Sequence, residues 1–273
     1  MTQGASTPDR SPRDHRMVFV GGLHRSGTTL LARLVGGHPL VSGFSGTGVP
    51  EDEGQHLQRV YPSAQAYGGP GRFGFDERAH LTEHSPLAGP TSARRLFEQW
   101  SPHWDLSRPL LLEKSPPNLL ATRFLQALFP GAHFIVIVRH PAAVALATRR
   151  RDPRQRLLRL LRHWFHVHAL LISDLPSLDH VLVVRYERLL EDPDVCRQRL
   201  AAFLGVPDQF PPLVMDREAQ EQYLRAWRDL DRSARGRLTT AMLRREFEQP
   251  ANALGYSFTD LQRCDELASE VPR

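Results

Sequence analysis

Four apolar runs along the chain predict buried β-strands. Each is rich in valine, isoleucine, leucine or phenylalanine and ends in glycine or a charged residue. The runs cover residues 17–22, 109–114, 133–139 and 180–187. The run at 133–139 is almost continuously apolar, which is typical of a central parallel strand covered by helices on both faces. The pattern therefore predicts an α/β fold, a parallel sheet between two layers of helices.

A long helix is predicted from Thr148 to Asp174, because apolar residues recur there at spacings of three and four. Seven arginines crowd its first half, at positions 149, 150, 151, 154, 156, 159 and 162. A solvated basic face explains them; binding of a polyanionic acceptor, an acidic lipid surface or nucleic acid is the alternative. Aromatic residues do not alternate with these arginines, which argues against single-stranded nucleic acid.

The segment 42–90 lacks periodicity and holds nine of the nineteen glycines. So long an irregular stretch inside a domain is usually functional, and we expect an acceptor molecule to bind there. A length of 273 residues suits one domain, expected over 17–273 after a disordered polar tail at 1–16. No run approaches the roughly 18 apolar residues of a membrane span. Cys196 and Cys264 lack metal-ligand spacing, so a cytoplasmic protein without a metal is expected.

The cations of this chain are unevenly distributed between the two basic residue types. The net charge is +5 and the pI is near 9.7, which fits an anionic ligand but decides little alone. Of the 35 basic residues, Lys114 is the single lysine. It ends an apolar strand and precedes two prolines suited to a helix start. Because ligands bind at strand ends in open α/β sheets, we interpret Lys114 as a site residue. The alternative is that one lysine occurs by chance in an arginine-rich chain.

The most informative segment is the loop that follows the first strand. Gly22 and Gly27 stand five residues apart, between an apolar strand and a helix, so that backbone N–H groups are able to wrap an anion at the helix start. A nucleotide triphosphatase would have lysine at the position of Thr28. This chain has Thr28 and Thr29 there and places its cation earlier, at Arg25.

The sequence from Phe19 to Leu30, in which Ser-Gly-Thr-Thr closes the loop, resembles that of the sulfotransferases that use 3'-phosphoadenosine 5'-phosphosulfate (PAPS). Within this family, the loop sequence is most similar to that of the tyrosylprotein branch and its bacterial relatives. The resemblance implies a P-loop nucleotide-hydrolase-like fold, PAPS as sulfuryl donor, 3',5'-phosphoadenosine (PAP) as product and no metal. It implies that the donor is bound by loop residues. These are Gly22, His24, Arg25, Ser26, Gly27, Thr28 and Thr29.

Further site residues follow from the same resemblance. It implies that Lys114 contacts the transferring sulfuryl group and that Arg139 binds the 3'-phosphate. Arg25 is expected to act with Lys114 in stabilising the charge that accumulates on the bridging oxygen. The family usually has a serine eight residues after that arginine; this chain has Ala147 there, and Thr148 is the expected substitute. Arg235 is expected to cover the 3'-phosphate from the C-terminal side.

The general base is expected in the run Pro50-Glu-Asp-Glu-Gly-Gln-His, because transfer to a hydroxyl requires removal of a proton. Glu53 is the first candidate, and Glu51 and His56 follow. A purely structural role for these carboxylates, as an acidic helix cap, is the alternative.

The predicted function is sulfuryl transfer from PAPS to a hydroxyl of a small-molecule, carbohydrate or peptide acceptor, with no nucleic-acid partner. Two other functions stay open. A P-loop kinase for a small alcohol would share the loop but require magnesium and ATP. A non-catalytic nucleotide- or polyanion-binding descendant of the fold would retain the arginines without turnover.

Overall fold

A sheet of five parallel strands lies at the centre of the protein. The computed structural model describes residues 14–213 and 217–266. Within them the strands are β1 (Arg16–Gly22), β2 (Val41–Gly43), β3 (Leu110–Lys114), β4 (His133–Val138) and β5 (Val181–Arg185). They are ordered β2-β3-β1-β4-β5, and every neighbouring pair is parallel. The predicted α/β fold is confirmed.

Helices cover both faces of this sheet. They are α1 (Thr28–Gly36), α2 (Pro90–Trp100), α3 (Thr122–Leu128), α4 (Pro141–Arg151), α5 (Leu157–Asp174), α6 (Tyr186–Glu191), α7 (Pro193–Leu204), α8 (Arg217–Asp229) and α9 (Ala234–Ala253). Successive side chains of β1 point to opposite faces. Met17 and Phe19 therefore join the core that includes Trp164 of α5, whereas Val18 and Val20 join the core that includes α1 and α7.

The strand register brings three strand ends to the loop after β1. Val20 pairs with Lys114, so β3 ends where β1 approaches its final glycines. Gly22 pairs with Ile137, so β4 ends beside the loop on the other side. Because β2 and β4 lie on opposite sides of β1, the chain reverses its winding direction here, and such a switch point forms a crevice at the carboxyl ends of the strands.

The helix predicted from Thr148 to Asp174 is wrong in one respect, because two helices occupy this stretch. Helix α4 begins earlier, at Pro141, and ends at Arg151, and α5 starts at Leu157. Pro153 lies between them and has no N–H to donate to a helix, which explains the break. The break turns the basic residues around 154–156 away from a continuous helix face.

The glycine-rich segment is irregular, as predicted. Between β2 and α2 it contains single turns of 3-10 helix, at Pro50–Asp52, Gly54–His56, Ala64–Tyr67, Phe73–Phe75 and Glu77–Ala79. The expected disordered tail largely lies outside the described residues, which begin at 14. Arg16 belongs to β1 and donates through its backbone N–H to the carbonyl of Pro109.

The C-terminal helices pack on the face that holds Trp164. Trp227 of α8 and Tyr256 beyond α9 are both fully buried there, and α8 lies against α4. Within the described ranges, the helices are all too short or too polar to cross a bilayer.

Candidate active site

The loop after β1 adopts a strained backbone that its sequence permits. Gly22, Arg25 and Gly27 have φ angles of 151°, 73° and 101°, where glycine is favoured. A Cβ at Gly27 would lie 2.6 Å from the Tyr186 ring, so a side chain there has no room. Arg25 adopts a left-handed conformation without being glycine, at a cost of about 1–2 kcal/mol. Such strain clusters at ligand-binding sites.

Several polar atoms around this loop are buried without a partner. Helix α1 begins at Thr28, and its cap residue Gly27 offers no side chain to its first N–H groups. Among the described residues, Ser26 Oγ, His24 Nδ1 and Arg139 Nη2 are buried and make no hydrogen bond. Unpaired buried polar groups are costly, so this set calls for a polar ligand. A helix start, a hydroxyl and a guanidinium together fit a phosphate-bearing molecule.

His24 lies on the side of the loop that faces the glycine-rich segment. Its ring packs edge-on against Phe73, 5.6 Å between centroids. Burial, together with the nearby cations Arg25 and Lys114, lowers the pKa of the His24 imidazole to about 3. His24 is therefore neutral at physiological pH, and it is suited to donate or accept one hydrogen bond rather than to supply charge.

Lys114 points from the end of β3 to the glycine-rich segment. Its ammonium Nζ donates to the backbone carbonyl of Glu51 at 2.8 Å and lies 3.3 Å from Glu53 Oε1. An ammonium carries three N–H donors, and these contacts use two of them. The third is available to a ligand, which fits the predicted role of Lys114 beside a transferring group.

Glu53 is buried and held on both oxygens. Lys114 contacts Oε1, and the Gln55 side-chain amide donates to Oε2. His56 lies 3.8 Å from the same Oε2. Glu51 is exposed instead, and its carboxylate accepts from the hydroxyl of Thr29 at 3.3 Å. The structure therefore brings the end of the loop, both candidate glutamates and the lysine into one group.

Glu113 was missed at the sequence level, although it precedes Lys114. It is fully buried and accepts from Ser115 Oγ at 2.6 Å and from the Asn118 amide. Ser115 Oγ in turn accepts from the backbone N–H of Gln55 at 2.9 Å. This network joins β3 to the segment that carries Glu53. Burial raises the pKa of the Glu113 carboxyl to about 7.

Gly54 explains how the segment approaches Glu113 so closely. A Cβ at Gly54 would lie 2.4 Å from Glu113 Oε1, so only glycine fits. The Gly54 carbonyl also accepts from the indole N–H of the buried Trp100 at 3.0 Å. A glutamate at the end of an apolar strand was the only signal in the sequence for this network.

Arg139 lies beside the loop on the β4 side. Its Nη1 donates to the carbonyl of Arg25 at 3.0 Å, and its guanidinium stacks 4.1 Å from the Tyr186 ring centroid. Its Nε donates to Gln220 Oε1 of α8 at 2.7 Å. Burial lowers the pKa of Arg139. The same Gln220 donates to Glu187 at 3.1 Å, so α8 covers this side of the site.

Two predicted donor-binding residues form no hydrogen bond with the described residues of this group. Thr148 is buried, and its methyl group would lie 3.3 Å from a Cβ at Gly71 of the glycine-rich segment. Arg235 is exposed in the first turn of α9, where its carbonyl accepts from Thr239 Oγ1 at 2.9 Å. Neither position supplies a contact to the loop, and their roles stay predictions.

A cavity of about 390 Å³ opens beside Lys114 and Glu51. Thr29, Glu51 and Lys114 line it, together with Phe44 and Ser45 from the start of the glycine-rich segment. Its size falls in the range of small-molecule sites, about 300–1,000 Å³. The glycine-rich segment therefore shares this cavity with Lys114, and its role in binding an acceptor stays a prediction. Among the residues described, no cluster of three metal-binding side chains is present.

The loop, Lys114 and Arg139 lie within residues 17–212, which match the profile of the sulfotransferase family. This chain belongs to the sulfotransferase family. The resemblance drawn from the loop sequence is confirmed. The match ends before α8, so Gln220, which contacts Arg139, lies outside the matched region.

Curated relatives and solved structures are also similar to this sulfotransferase-family chain. Protein-tyrosine sulfotransferase 1 of Danio rerio is 29% identical over 219 residues, which cover 75% of this chain and 57% of the relative. Protein-tyrosine sulfotransferase 2 of Gallus gallus is 27% identical over 212 residues, covering 72% and 53%. The chain thus spans only just over half the length of these relatives.

Among solved structures, a sulfotransferase from Alicyclobacillus acidocaldarius is 21% identical with a TM-score of 0.48, covering 78% of this chain and 91% of that one. The sulfotransferase domain of the Synechococcus PCC 7002 olefin synthase is 22% identical with a TM-score of 0.49, covering 79% and 89%.

Proposed function

We propose that this protein transfers the sulfuryl group of PAPS to an acceptor hydroxyl. One observation carries the proposal: Lys114 and Glu53, a buried cation and a buried carboxylate 3.3 Å apart, meet beside a phosphate-type loop. The cation suits charge that develops on a departing oxygen, and the carboxylate suits proton removal. Both lie at the end of the loop on which the donor would bind.

The donor would be held by the loop from Gly22 to Thr29 and by Arg139. The unpaired Ser26 hydroxyl, the unpaired nitrogen of Arg139 and the free start of α1 are donors suited to phosphate oxygens. When bound, PAPS supplies an activated sulfuryl group whose bond to a phosphate oxygen is broken. Thr148 and Arg235 remain secondary candidates for the 3'-phosphate.

In the transfer step, Glu53 takes the proton of the acceptor hydroxyl as the new oxygen–sulfur bond forms. The proton remains on the carboxylate until solvent removes it. Lys114 stabilises the negative charge on the oxygen that leaves with PAP, through the N–H that its two protein contacts do not use. Arg25, exposed on the loop, adds a second positive charge. Gln55 holds Glu53 in place.

The acceptor would enter the cavity of about 390 Å³ that Thr29, Glu51 and Lys114 border. A small molecule, a carbohydrate or a peptide hydroxyl each satisfies the chemistry. The protein-tyrosine sulfotransferases among the relatives make peptide tyrosine one of these. A cytoplasmic location is part of the proposal, supported by two buried cysteines that are free thiols.

Calorimetric titration of the purified protein with PAP and then with ATP, each first without and then with magnesium, tests the proposal. We expect micromolar binding of PAP and little binding of ATP. Magnesium-dependent ATP binding would instead indicate a kinase. Binding of PAP without any PAPS turnover across a panel of phenol, sugar and peptide acceptors would indicate a binding protein.

A further inference from the structure

A second cavity, the arginine cleft, lies where α4 gives way to α5. It has a volume of about 550 Å³. Five guanidinium groups and one aromatic ring line it, from Arg72, Arg154, Arg156, Arg159, Arg162 and Phe75. It shares no lining residue with the cavity beside Lys114. The predicted solvated helix face is thus folded into a concave site.

The charge of the cleft is only partly neutralised. Arg72 pairs with Asp152 at 2.9 Å, and Arg162 pairs with Glu246 at 2.7 Å. Within the described part of the chain, Arg154, Arg156 and Arg159 form no ion pair. A cleft with three uncompensated guanidinium groups attracts carboxylate, sulfate or phosphate, which arginine binds with paired N–H groups.

The cleft also has features that a simple anion site does not need. Phe75 is 40% exposed, and its ring lies 5.8 Å from the Arg159 guanidinium. Gln155 is buried in the wall, donates to the carbonyl of Pro70 and keeps its Oε1 inside, 2.7 Å from where a Cβ at Gly71 would lie, so it fixes the wall against the glycine-rich segment. An exposed ring accepts the apolar C–H face of a sugar, which a site for a small inorganic anion does not require.

The cleft is connected to the proposed active site through the protein. Arg72 and Phe75 belong to the same glycine-rich segment as Glu53. From the loop, aromatic rings follow one another: His24 contacts Phe73 at 5.6 Å, Phe73 contacts His163 at 5.1 Å, and His163 contacts Phe75 at 5.3 Å. A molecule that occupied the cleft would therefore lie against the segment that carries the base.

We propose that the acceptor is an acidic carbohydrate whose charged sugar binds in the arginine cleft, with its ring on Phe75. The inference rests on the proposed sulfuryl transfer and names its acceptor class. A lipid surface would need a flat basic face, and single-stranded nucleic acid would need several stacking rings, whereas this site is concave and has one exposed phenyl ring.

The test measures binding of a hyaluronan tetrasaccharide, which carries carboxylates and hydroxyls, to the PAP-saturated protein at about 0.15 M salt. Neutral chitotetraose is the comparison ligand. We expect the acidic tetrasaccharide alone to bind, and the double variant Arg156→Gln/Arg159→Gln to weaken its binding at least about tenfold. The matched control is Arg95→Gln/Arg245→Gln, which removes two exposed arginines that also form no ion pair among the described residues.

Phe75→Ala separates a sugar site from a plain anion site. This variant should lose affinity for the tetrasaccharide while it retains any affinity for inorganic pyrophosphate. Equal weakening in both double variants, equal binding of chitotetraose, or tighter and cleft-dependent binding of single-stranded DNA or anionic vesicles would each overturn the inference. Failure of PAP to bind would instead overturn the proposed function, so the two failures are distinguishable.

Discussion

Lys114 Nζ and Glu53 Oε1 lie 3.3 Å apart, and the two side chains are only 6% and 10% exposed. Breaking a buried pair by removing one partner costs more than the pair contributes, because the remaining charge has lost its solvent. The catalytic cation and the catalytic base of the proposed reaction thus hold each other in place before any ligand binds.

Lys114→Met should lower PAPS turnover at least about 100-fold, because it removes the charge that stabilises the leaving oxygen. PAP affinity should change little. The variant should also unfold more easily, since Glu53 would lose its buried partner. Lys114→Met/Glu53→Gln should recover stability but not activity. Kinetics, calorimetry with PAP and urea unfolding measure these three quantities, and a large loss of PAP affinity in Lys114→Met would contradict the assignment.

Glu53→Gln should lower kcat by about 10²- to 10⁴-fold, the usual contribution of a positioned base. The amide keeps the shape of the side chain but takes up no proton. Glu51→Gln and His56→Gln are the matched comparisons, because both residues belong to the same segment. They should retain activity within a few-fold. A larger loss in Glu51→Gln would transfer the role to that exposed carboxylate.

Arg139→Ala should weaken PAP binding by roughly 10- to 100-fold, as expected for a charge-assisted hydrogen bond of about 1.5–3 kcal/mol. If the guanidinium binds the 3'-phosphate, adenosine 5'-phosphate should lose little affinity in the same variant. Gln220→Ala serves as control, since it removes the helix contact and leaves the charge. Equal losses for both nucleotides would show that Arg139 acts on the loop instead, through its bond to the Arg25 carbonyl.

Glu113→Gln should change how stability depends on pH. Burial raises the pKa of Glu113 from 4.5 to about 7 in the folded protein. The folded state therefore binds this proton more tightly, and its stabilising contribution, present below pH 4.5, is lost as the pH rises through about 7. Over that window the loss amounts to roughly 3 kcal/mol.

A glutamine at position 113 cannot ionise, so the variant should gain stability relative to the natural protein between pH 5 and pH 8. Urea unfolding of both proteins at each pH measures this. The buried histidines, such as His140 and His168, have the opposite effect on stability, because burial lowers their pKa values to about 4. Subtracting the free energy of unfolding of one protein from that of the other removes this shared effect. An identical stability difference at both pH values would show that folding does not raise the pKa of Glu113.

The loop and the strand ends were predictable because both depend on local sequence. Gly22 and Gly27 are required by the backbone between a strand and a helix, and Lys114 follows an apolar run directly. The choice between Glu51 and Glu53 was less secure, since Glu53 meets Lys114 across 61 residues of chain. Only packing of the irregular segment on Glu113 determines which carboxylate turns inward.

The contact of Gln220 with Arg139 could not be predicted from the sequence either, because it too depends on packing between distant segments. Gln220 is one of several polar residues in an amphipathic helix, and nothing in its neighbours marks it as the residue that reaches Arg139. The break at Pro153 was visible in the sequence, but the regular apolar spacing on both sides concealed it.

The contact between Gln220 and Arg139 shows that the domain extends beyond the residues that match the family profile. Residues 17–212 match the family, yet Gln220, from beyond that stretch, bonds both Arg139 and Glu187, and Tyr256 donates its hydroxyl to Glu187 at 3.1 Å. A fragment cut at the family boundary would keep the loop, the lysine and the base while uncovering the arginine beside them. Exchange of this domain between proteins must therefore carry α8 and the residues through Tyr256 along with it.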